Sequence, residues 1–275
     1  MEEEKLDLAS KQYLNAQAWI EEHKVTITKE ESVPLEKGLS SKKFLDWINS
    51  LDSSLQGHIK KVHFQSIDMF GPNVGFLKFQ AFSECPRAKG KFIPGITFCR
   101  GGAVAILLIL TCKSTGEKFS ILTLQPRIPI GKFCMPEIPA GMLDDNNDFK
   151  GVAAKELEEE CGIQIKKDKL INLTQVYERI GFKGMYPSAG GCDEFLVLYA
   201  YEQEMEEHLI KQLEGKLTGN LEEGETITLK IVKYQHLWRE APDAKTLSAL
   251  FLYEKFKQQI VENAKLTDLL TILPQ

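Results

Sequence analysis

A glycine turn followed by a glutamate-rich helix, residues 141–163, constrains this chain more than any other stretch. At about 100° per residue, Glu156, Glu159 and Glu160 share one helix face, where their like charges repel unless a cation lies among them. Carboxylate oxygens suit Mg²⁺ or Mn²⁺, which also bind phosphate. The apolar stripe that would bury this helix is Ala153, Leu157 and Cys161. The stretch therefore predicts a metal site for phosphate chemistry, although a glutamate run alone is more often a solvated helix face.

The residue spacing in this stretch, the box, resembles the signature of the Nudix hydrolase family. The positions that match are Gly141, Glu156, Leu157, Glu159, Glu160, Gly162 and Ile163. Two positions depart: Asn147 stands where the family has its first glutamate, and Lys155 replaces an arginine. In the family those two residues brace the loop and helix, whereas the later glutamates hold metal. The resemblance therefore leaves the ligands in place, while lysine keeps the charge but loses the bidentate fork of arginine.

The resemblance extends beyond the box, from about Phe64 to Gln258, and is to the plant ADP-sugar pyrophosphatase branch of the family. That branch also lacks the first glutamate, so Asn147 is interpreted as a trait of the branch. The resemblance implies metal-dependent hydrolysis of the pyrophosphate bond of ADP-glucose or ADP-ribose, giving AMP and a sugar phosphate. The matching stretches are 67–71, 75–79, 94–108, 137–145, 187–194 and 237–247.

Two other functions stay open at this point. A UDP-sugar pyrophosphatase is an alternative because no residue visibly selects the nucleotide base. A non-hydrolytic sensor that binds nucleotide sugars is another, because the box departs from the family pattern at two positions. The retained glutamates of the box argue against the sensor.

The same resemblance implies an α/β fold, the Nudix α/β/α sandwich with a mixed sheet, preceded by an N-terminal α+β accessory region. We expect the accessory region to span residues 1–98 and the Nudix hydrolase domain to span residues 99–275. In related enzymes N-terminal sheets help to form a homodimer, so a homodimer is expected here.

Apolar patterns place the individual elements. In the accessory region they predict a helix over 1–23, a strand at 24–28, a helix capped by Ser40 or Ser41, and two strands around the turn at 71–73. The strands predicted for the hydrolase domain are 103–111, 119–125, 132–137, 174–180, 194–201 and 227–233.

Two further segments complete the predicted hydrolase domain. The polar, glycine-punctuated residues 202–224 are expected to be a mobile loop near the site. A closing helix is expected over 243–259. The core residues predicted on that helix are Leu247, Leu250, Phe251 and Tyr253.

The resemblance also assigns metal ligands and a general base. The ligands are Glu156, Glu159 and Glu160 with the backbone carbonyl of Ala140, and Glu159 is counted among the catalytic residues as well. Glu194 follows a Gly-Gly pair, as does the general base of bacterial ADP-ribose pyrophosphatases. The alternative is a charged residue that merely opens a strand, and the rival bases are Glu222, Glu223 and Glu225.

Substrate contacts are predicted for Arg127, Arg100, Ser188 and Gly190. Arg127 matches the arginine that contacts substrate phosphate in the branch, a task suited to its guanidinium fork, and Arg100 is a weaker candidate of the same kind. A surface ion pair is the competing interpretation of Arg127. Ser188 and Gly190 would shape the loop over the substrate. Two further suggestions are that an aromatic residue such as Phe64 or Phe70 stacks on adenine and that Asp144 or Asp145 caps the box helix.

Composition excludes several classes of function. A net charge of −5, with no basic stripe carrying aromatic residues, argues against nucleic-acid binding. The longest apolar run, 103–110, is far shorter than the roughly 20 residues needed to cross a bilayer, so no membrane partner is expected. Six scattered cysteines without a paired spacing suit reduced thiols inside a cell. No signal or transit peptide is visible in the first residues, so a cytoplasmic location is expected.

Overall fold

The computed structural model describes residues 12–85, 87–88, 90–143, 148–219 and 226–272, with side chains, except that of Pro94, as far as residue 263. The described residues form two compact units. One contains the chain up to Gly102 together with Ser188–Phe195, and the other contains Ala103–Pro187 and the chain from Leu196 onward. The segment that carries Glu194 therefore groups with the N-terminal residues. The expected boundary between residues 98 and 99 stays a prediction.

The first unit contains a four-stranded sheet. Its strands are β1 (Thr26–Lys29), β2 (Ile59–Phe70), β3 (Asn73–Glu84) and β4 (Phe92–Cys99), in the spatial order β1-β2-β3-β4. β1 runs parallel to β2, and the other pairs are antiparallel. The β2–β3 hairpin turns at Gly71, whose φ of +58° is a conformation that glycine adopts without a steric penalty. This hairpin confirms the turn predicted at 71–73.

Short helices cover one face of this sheet. They are α1 (Ala16–His23), α2 (Leu35–Ser40), α3 (Lys42–Ser50) and α4 (Ser53–Gln56). The side chain of Ser41 accepts a hydrogen bond from the Phe44 N–H at 3.2 Å, which confirms the predicted cap. Aromatic side chains dominate the buried core: Trp19, Phe44, Phe64 and Phe79. The helix predicted over 1–23 is confirmed for α1 but is wrong for residues 12–15, which are not helical because Asn15 caps the start of α1. Residues 1–11 lie outside the described residues.

The second unit is built on a mixed eight-stranded sheet. Its strands are β5 (Ala103–Cys112), β6 (Lys118–Arg127), β7 (Lys132–Glu137), β8 (Ala140–Met142), β9 (Ile171–Asn172), β10 (Leu196–Met205), β11 (Leu217–Thr218) and β12 (Ile227–Lys233). The spatial order is β11-β12-β6-β5-β10-β9, while β7 pairs with β6 and β8 pairs with β5. Among the described strand pairs of this sheet, only β5 and β10 run parallel. Because β8 pairs with the first residues of β5, it places Ala140 and Gly141 at that end of the sheet.

Helices pack against the central strands of this sheet. They are α5 (Phe149–Glu156), which continues into a π-helical turn (Leu157–Cys161), α6 (Glu207–Leu213), α7 (Leu237–Glu240) and α8 (Ala244–Ile272). Within the described ranges, 3₁₀ segments lie at 128–130, 167–169, 175–180 and 234–236. Alternate residues of β5, such as Leu107, share a core with Tyr253 of α8, and the intervening residues, such as Ile106, are buried as well. Burial on both faces explains the unbroken apolar run of β5, and the unit has the expected α/β fold.

Two predicted elements of the hydrolase domain are wrong. Residues 174–180 are not a strand: Gln175–Ile180 form a 3₁₀ segment in which Val176 and Ile180 are exposed. The segment has β-forming residues but no neighbouring strand to pair with, and tertiary context decides such cases. Residues 202–224 are not one loop, because β10 runs to Met205 and α6 follows; residues 220–225 lie outside the described residues.

The closing helix is confirmed but is longer than predicted, and two of its predicted core residues are wrong. Leu247 and Phe251 are exposed, whereas Tyr253 is buried as predicted and Ala249 takes a core position. Ala249 is small and fully buried, so the core face of α8 is not marked by large apolar residues alone. The strands predicted at 132–137 and 227–233 are confirmed with the same bounds.

Candidate active site

The box begins with a capped helix and ends in a π-helical turn. Asp148 accepts a hydrogen bond from the Gly151 N–H at 2.9 Å and so caps α5. The prediction of a uniform α-helix through the glutamates is wrong, because the chain widens into the π turn directly after Glu156. Such turns occur frequently at functional sites, where they redirect side chains. The predicted apolar stripe is confirmed, since Ala153, Leu157 and Cys161 are all buried.

Glu156 lies against the glycine that opens the box. A Cβ atom at position 141 would lie 1.8 Å from Oε1 of Glu156, so any larger residue would displace the carboxylate. Gly141 therefore matters for the space that it leaves to Glu156 and not for a positive φ. The Glu156 carboxylate lies directly against strand β8.

Glu160 is directed to the same strand. Its side chain accepts a hydrogen bond from the Ala140 N–H at 3.1 Å, and the residue is only 2% exposed. The backbone carbonyl of Glu160 accepts a hydrogen bond from the Thr218 hydroxyl, which fastens the π turn to β11. A carboxylate that is buried to this degree is stable only when hydrogen bonds or cations compensate for its lost hydration. Glu156 and Glu160 thus converge on the segment Ala140–Gly141.

Glu159 has a different environment from the other two glutamates. Its side chain is half-exposed and lies 3.5 Å from the ammonium group of Lys155. Among the described residues, no three histidine, cysteine, aspartate or glutamate side chains are grouped closely enough to hold a metal ion. Glu159 as a ligand or catalytic residue stays a prediction. Six residues that the sequence analysis named lie outside the described residues: Asn147, Asp144, Asp145, Glu222, Glu223 and Glu225.

Arg127 is bound to a buried carboxylate. Its Nε donates to Oε1 of Glu137 at 2.6 Å and its Nη2 donates to Oε2 at 3.0 Å, so the contact is bidentate. Lys245 also donates to Glu137 and lies 3.0 Å from Asp243. Asp243 in turn accepts hydrogen bonds from the N–H and hydroxyl of Thr246 at 3.0 and 2.7 Å. This charge network joins β6 and β7 to the start of α8.

The network shifts the pKa values of its members. The hydrogen bonds to Glu137 raise the pKa of Arg127, and the nearby charge of Glu160 acts in the same direction. Burial works to raise the pKa of Glu137, but the hydrogen bonds and charges of Arg127 and Lys245 outweigh it and lower the pKa overall. Glu137 is therefore ionised at neutral pH. The competing interpretation of Arg127 as an ion-pair residue describes what the structure shows, and its contact with substrate stays a prediction.

Glu194 lies in the first unit beside Arg100. One Glu194 oxygen is 3.5 Å from Nη1 of Arg100, and both side chains are partly buried. The Arg100 guanidinium also lies 5.9 Å from the centre of the Phe76 ring. Its Nε is buried and has no hydrogen-bond partner among the described residues. Buried donors are normally paired, so this unpaired Nε is an exception.

The loop that carries Glu194 is fastened through its backbone. Ser188 provides the carbonyl that accepts hydrogen bonds from the N–H groups of Gly191 and Cys192 at 3.1 and 3.0 Å. A Cβ atom at Gly190 would meet no atom within 4 Å, so this glycine is not required by crowding. The substrate contacts expected of Ser188 and Gly190 stay predictions.

One suggested base-stacking residue is excluded. Phe64 is fully buried in the aromatic core of the first unit, so it cannot meet a ligand. Phe70 is exposed and packs edge-on against Phe76, with ring centres 4.9 Å apart. The sequence reasoning missed three residues that the structure places in contact with predicted site residues or their partners: Glu137 and Lys245 in the second unit, and Asp193 in the first. Each lies inside a stretch that matched the branch, and that was the available signal.

The fold and the box define the class of protein. A family model described as the NUDIX domain matches residues 101–251. The chain belongs to the Nudix family, which is a family of hydrolases, and related members include pyrophosphatases. The family as a whole generally uses divalent metals such as Mg²⁺, and its members bind nucleotide substrates.

The chain is also similar to individual proteins of known sequence or structure. Nudix hydrolase 14, chloroplastic, of Arabidopsis thaliana is 41% identical over 228 residues, which cover 80% of this chain and 72% of that protein. The ADP-ribose pyrophosphatase of Bacillus subtilis (strain 168) is 32% identical over 149 residues, 54% of this chain and 70% of that protein. A solved structure described as an ADP compounds hydrolase covers 73% of this chain and 96% of its own, at a TM-score of 0.45 and 17% identity. No helix in the described part of the chain is long and apolar enough to cross a membrane.

Proposed function

We propose that this protein hydrolyses the pyrophosphate bond of a nucleoside diphosphate sugar, with ADP-ribose and ADP-glucose as the leading substrates. AMP and a sugar phosphate or ribose phosphate would be the products. The observation that carries the proposal is the convergence of two glutamates of the box, Glu156 and Glu160, on the segment Ala140–Gly141. The similarity to an ADP-ribose pyrophosphatase supports the choice of an ADP compound.

The donor set at this segment fits Mg²⁺, with Mn²⁺ as a substitute. Mg²⁺ in proteins is commonly held by one or two carboxylates, with waters and substrate phosphates completing its shell. Glu156, Glu160 and the carbonyl of Ala140 would hold the ion, and Glu159 would have to leave Lys155 to join them. A bound ion would neutralise charge on the phosphate oxygens.

The remaining residues are proposed to act on substrate and water. Glu194 is the proposed general base, since a carboxylate partly withdrawn from solvent can take a proton from attacking water. Arg100 would bind a phosphate oxygen through its unpaired Nε and release Glu194 as it does so. Arg127 would offer phosphate its remaining guanidinium donors, and Ser188 and Gly190 would shape the loop.

A homodimer is also proposed, supported by the outer face of the first unit's sheet. Strand β4 lies at the edge of the sheet and exposes Phe92, Ile96 and Phe98, which alternate along the strand and so share one face. A row of large apolar side chains on an exposed face is typical of protein–protein interfaces. A second copy of this chain is the proposed partner.

The substitution Glu160→Gln tests the proposed reaction. The variant keeps the side-chain shape but removes a buried negative charge, so we expect kcat to fall by at least about 100-fold. The assay measures monoester product from ADP-ribose, ADP-glucose, UDP-glucose and GDP-mannose through a coupled phosphatase, with Mg²⁺, with Mn²⁺ and with chelator. Glu158→Gln is the matched control, because Glu158 lies in the same π turn but is exposed and bound to Gln164.

Three outcomes would contradict parts of the proposal. Full hydrolysis by the Glu160→Gln variant would show that the metal-site assignment is wrong. Faster turnover of UDP-glucose than of either ADP compound would replace the substrate assignment. Binding of all four compounds without turnover in the unaltered protein would favour the nucleotide-sugar sensor.

A further inference from the structure

Asp193, the residue before the proposed base, binds the loop to the end of strand β4 through its carboxylate. Its Oδ1 accepts hydrogen bonds from the backbone N–H groups of Arg100 and Gly101 at 2.8 and 3.1 Å. Its Oδ2 accepts a hydrogen bond from the thiol of Cys99 at 2.9 Å. Three consecutive residues therefore converge on one carboxylate, and hydrogen bonds to an ionised acceptor are roughly twice as strong as neutral ones.

The backbone of the loop is bound to strand β4 as well. Phe98 donates its N–H to the carbonyl of Gly191 at 2.8 Å and accepts a longer hydrogen bond from the N–H of Asp193 at 3.4 Å. Glu194 continues beyond these two contacts, and its own N–H points to the sulfur of Cys192 at 3.4 Å. The Asp193 carboxylate, with three donors, is thus a strong attachment directly before Glu194.

The same carboxylate also fixes the partner of Glu194. It binds the backbone of Arg100, whose side chain lies 3.5 Å from Glu194. The Arg100 carbonyl accepts a further hydrogen bond from Lys43 at 3.1 Å, so the backbone at this position is held from two sides. Movement of Asp193 would therefore disturb the proposed base and its neighbouring cation together.

We propose that Asp193 is a positioning residue for the reaction, which sets the place of the Glu194 carboxylate by binding the backbone of Arg100 and Gly101. This inference rests on the proposed function of Glu194 as general base. Asp193 is not proposed to touch substrate. Its negative charge and its geometry as an acceptor are both needed, because the donors are two backbone N–H groups and a thiol.

The experiment compares Asp193→Ala with Asp193→Asn in the full-length protein. We expect Asp193→Ala to lower kcat by 10- to 100-fold, in line with the roughly 100-fold loss from a misplacement of about 1 Å. We expect KM to rise as well, because the proposed phosphate contact of Arg100 moves together with Glu194. Asp193→Asn retains an oxygen for the two N–H groups and should recover part of that loss. Asp168→Ala is the matched control, because Asp168 is exposed and lies in a 3₁₀ turn of the second unit.

A double-mutant cycle with Glu194→Gln separates the positioning role from a general loss of folding. If Asp193 acts through Glu194, then Asp193→Ala adds little further loss once Glu194 is already replaced. An equal fold-loss in both backgrounds would overturn the positioning role while leaving the base assigned. Full kcat in Glu194→Gln alone would overturn the base and, with it, the inference.

The reactivity of the Cys99 thiol tests the hydrogen bonds of the Asp193 carboxylate without an activity assay. Cys99 is buried and hydrogen-bonded to Asp193, and burial followed by the Asp193 charge raises the pKa of the thiol. Alkylation of Cys99, followed by mass spectrometry with exposed Cys134 as internal reference, should accelerate in Asp193→Ala. An unchanged alkylation rate of Cys99 would contradict the proposed attachment through Asp193, even if kcat had fallen.

Discussion

Arg127 and Arg100 are both predicted to bind substrate phosphate, yet the structure engages them in different ways. Arg127, in the second unit, is 38% exposed, and the fork of its guanidinium is bonded to Glu137, which is 6% exposed and also bound by Lys245. Arg100, in the first unit, lies at the longer distance of 3.5 Å from Glu194 and has an unpaired buried Nε.

The contrast distinguishes an arginine held in a short bidentate contact from one with a longer contact and an unpaired donor. A bidentate contact to a buried carboxylate stabilises the fold and is difficult to break without leaving a buried charge. A long contact between partly buried groups is weaker and can be exchanged for a ligand. Of the two, Arg100 is therefore the better candidate for phosphate, the reverse of the order that the sequence suggested.

The largest expected effect follows from removal of the charge at Glu137. Glu137→Gln would leave Arg127 and Lys245 without their shared anion, and loss of one partner of a buried pair costs about 3–5 kcal/mol. Urea denaturation measures the free energy of unfolding. Glu117→Gln is the control, since the pair of Glu117 with Lys233 lies at the surface and such pairs contribute about 0–1 kcal/mol. Equal losses of unfolding free energy in the two variants would contradict the interpretation of Arg127 as a residue held by a buried, stabilising contact.

The Glu137→Gln substitution should also change how the stability of the fold depends on pH. The pKa of Glu137 in the folded protein lies below its usual value of 4.5, so the ionised group stabilises the fold above that value. This contribution is lost as the pH falls from about 4.5 through the lowered folded pKa. The unaltered protein should therefore lose more stability on acidification over this range than Glu137→Gln does. Parallel curves for the two proteins would contradict the assignment.

The next effect concerns activity more than stability. In Gly141→Ala the new Cβ would displace the Glu156 carboxylate, whose near atom lies 1.8 Å from that position. We expect kcat to fall by roughly 100-fold, because a displacement of about 1 Å has consequences of that size. Gly57→Ala is the control, since a Cβ there meets no atom within 4 Å and Gly57 has a φ of −80°. Unchanged kcat in Gly141→Ala would separate Glu156 from the reaction.

The smallest effect is expected at Lys155, the residue that replaces the family's arginine. Its contact with Glu159 is an exposed pair of residues four apart on a helix, and such pairs contribute about 0.3–0.5 kcal/mol. Lys155→Ala should therefore change the midpoint of thermal unfolding only slightly, and Lys155→Arg even less. A loss above 1 kcal/mol would show that Lys155 braces the box as arginine does elsewhere in the family.

Local patterns in the sequence determined much of the fold. The hairpin at 71–73 and the cap at Ser41 were predictable because turn and cap chemistry depends on a few adjacent residues. The unbroken apolar run 103–110 identified a strand buried on both faces. The signature residues of the box identified the family, since their spacing reflects one helix and the turn before it.

Tertiary structure decided what those residues contact. Nothing local distinguishes Val176 and Ile180, which are exposed in a 3₁₀ segment, from residues of a strand, because a strand requires a partner from elsewhere in the chain. The π turn after Glu156 depends in the same way on packing against β11.

The two arginines also show that the sequence alone does not determine which charged residues pair. The sequence determined that Arg100, Arg127 and several carboxylates are present and which motifs contain them. Only the fold decided that Arg127 meets Glu137, ten residues along the chain, and that Arg100 meets Glu194, which is far from it in sequence. Charge pairing is a property of distance and burial, and both are set by how strands and loops distant in sequence are brought together.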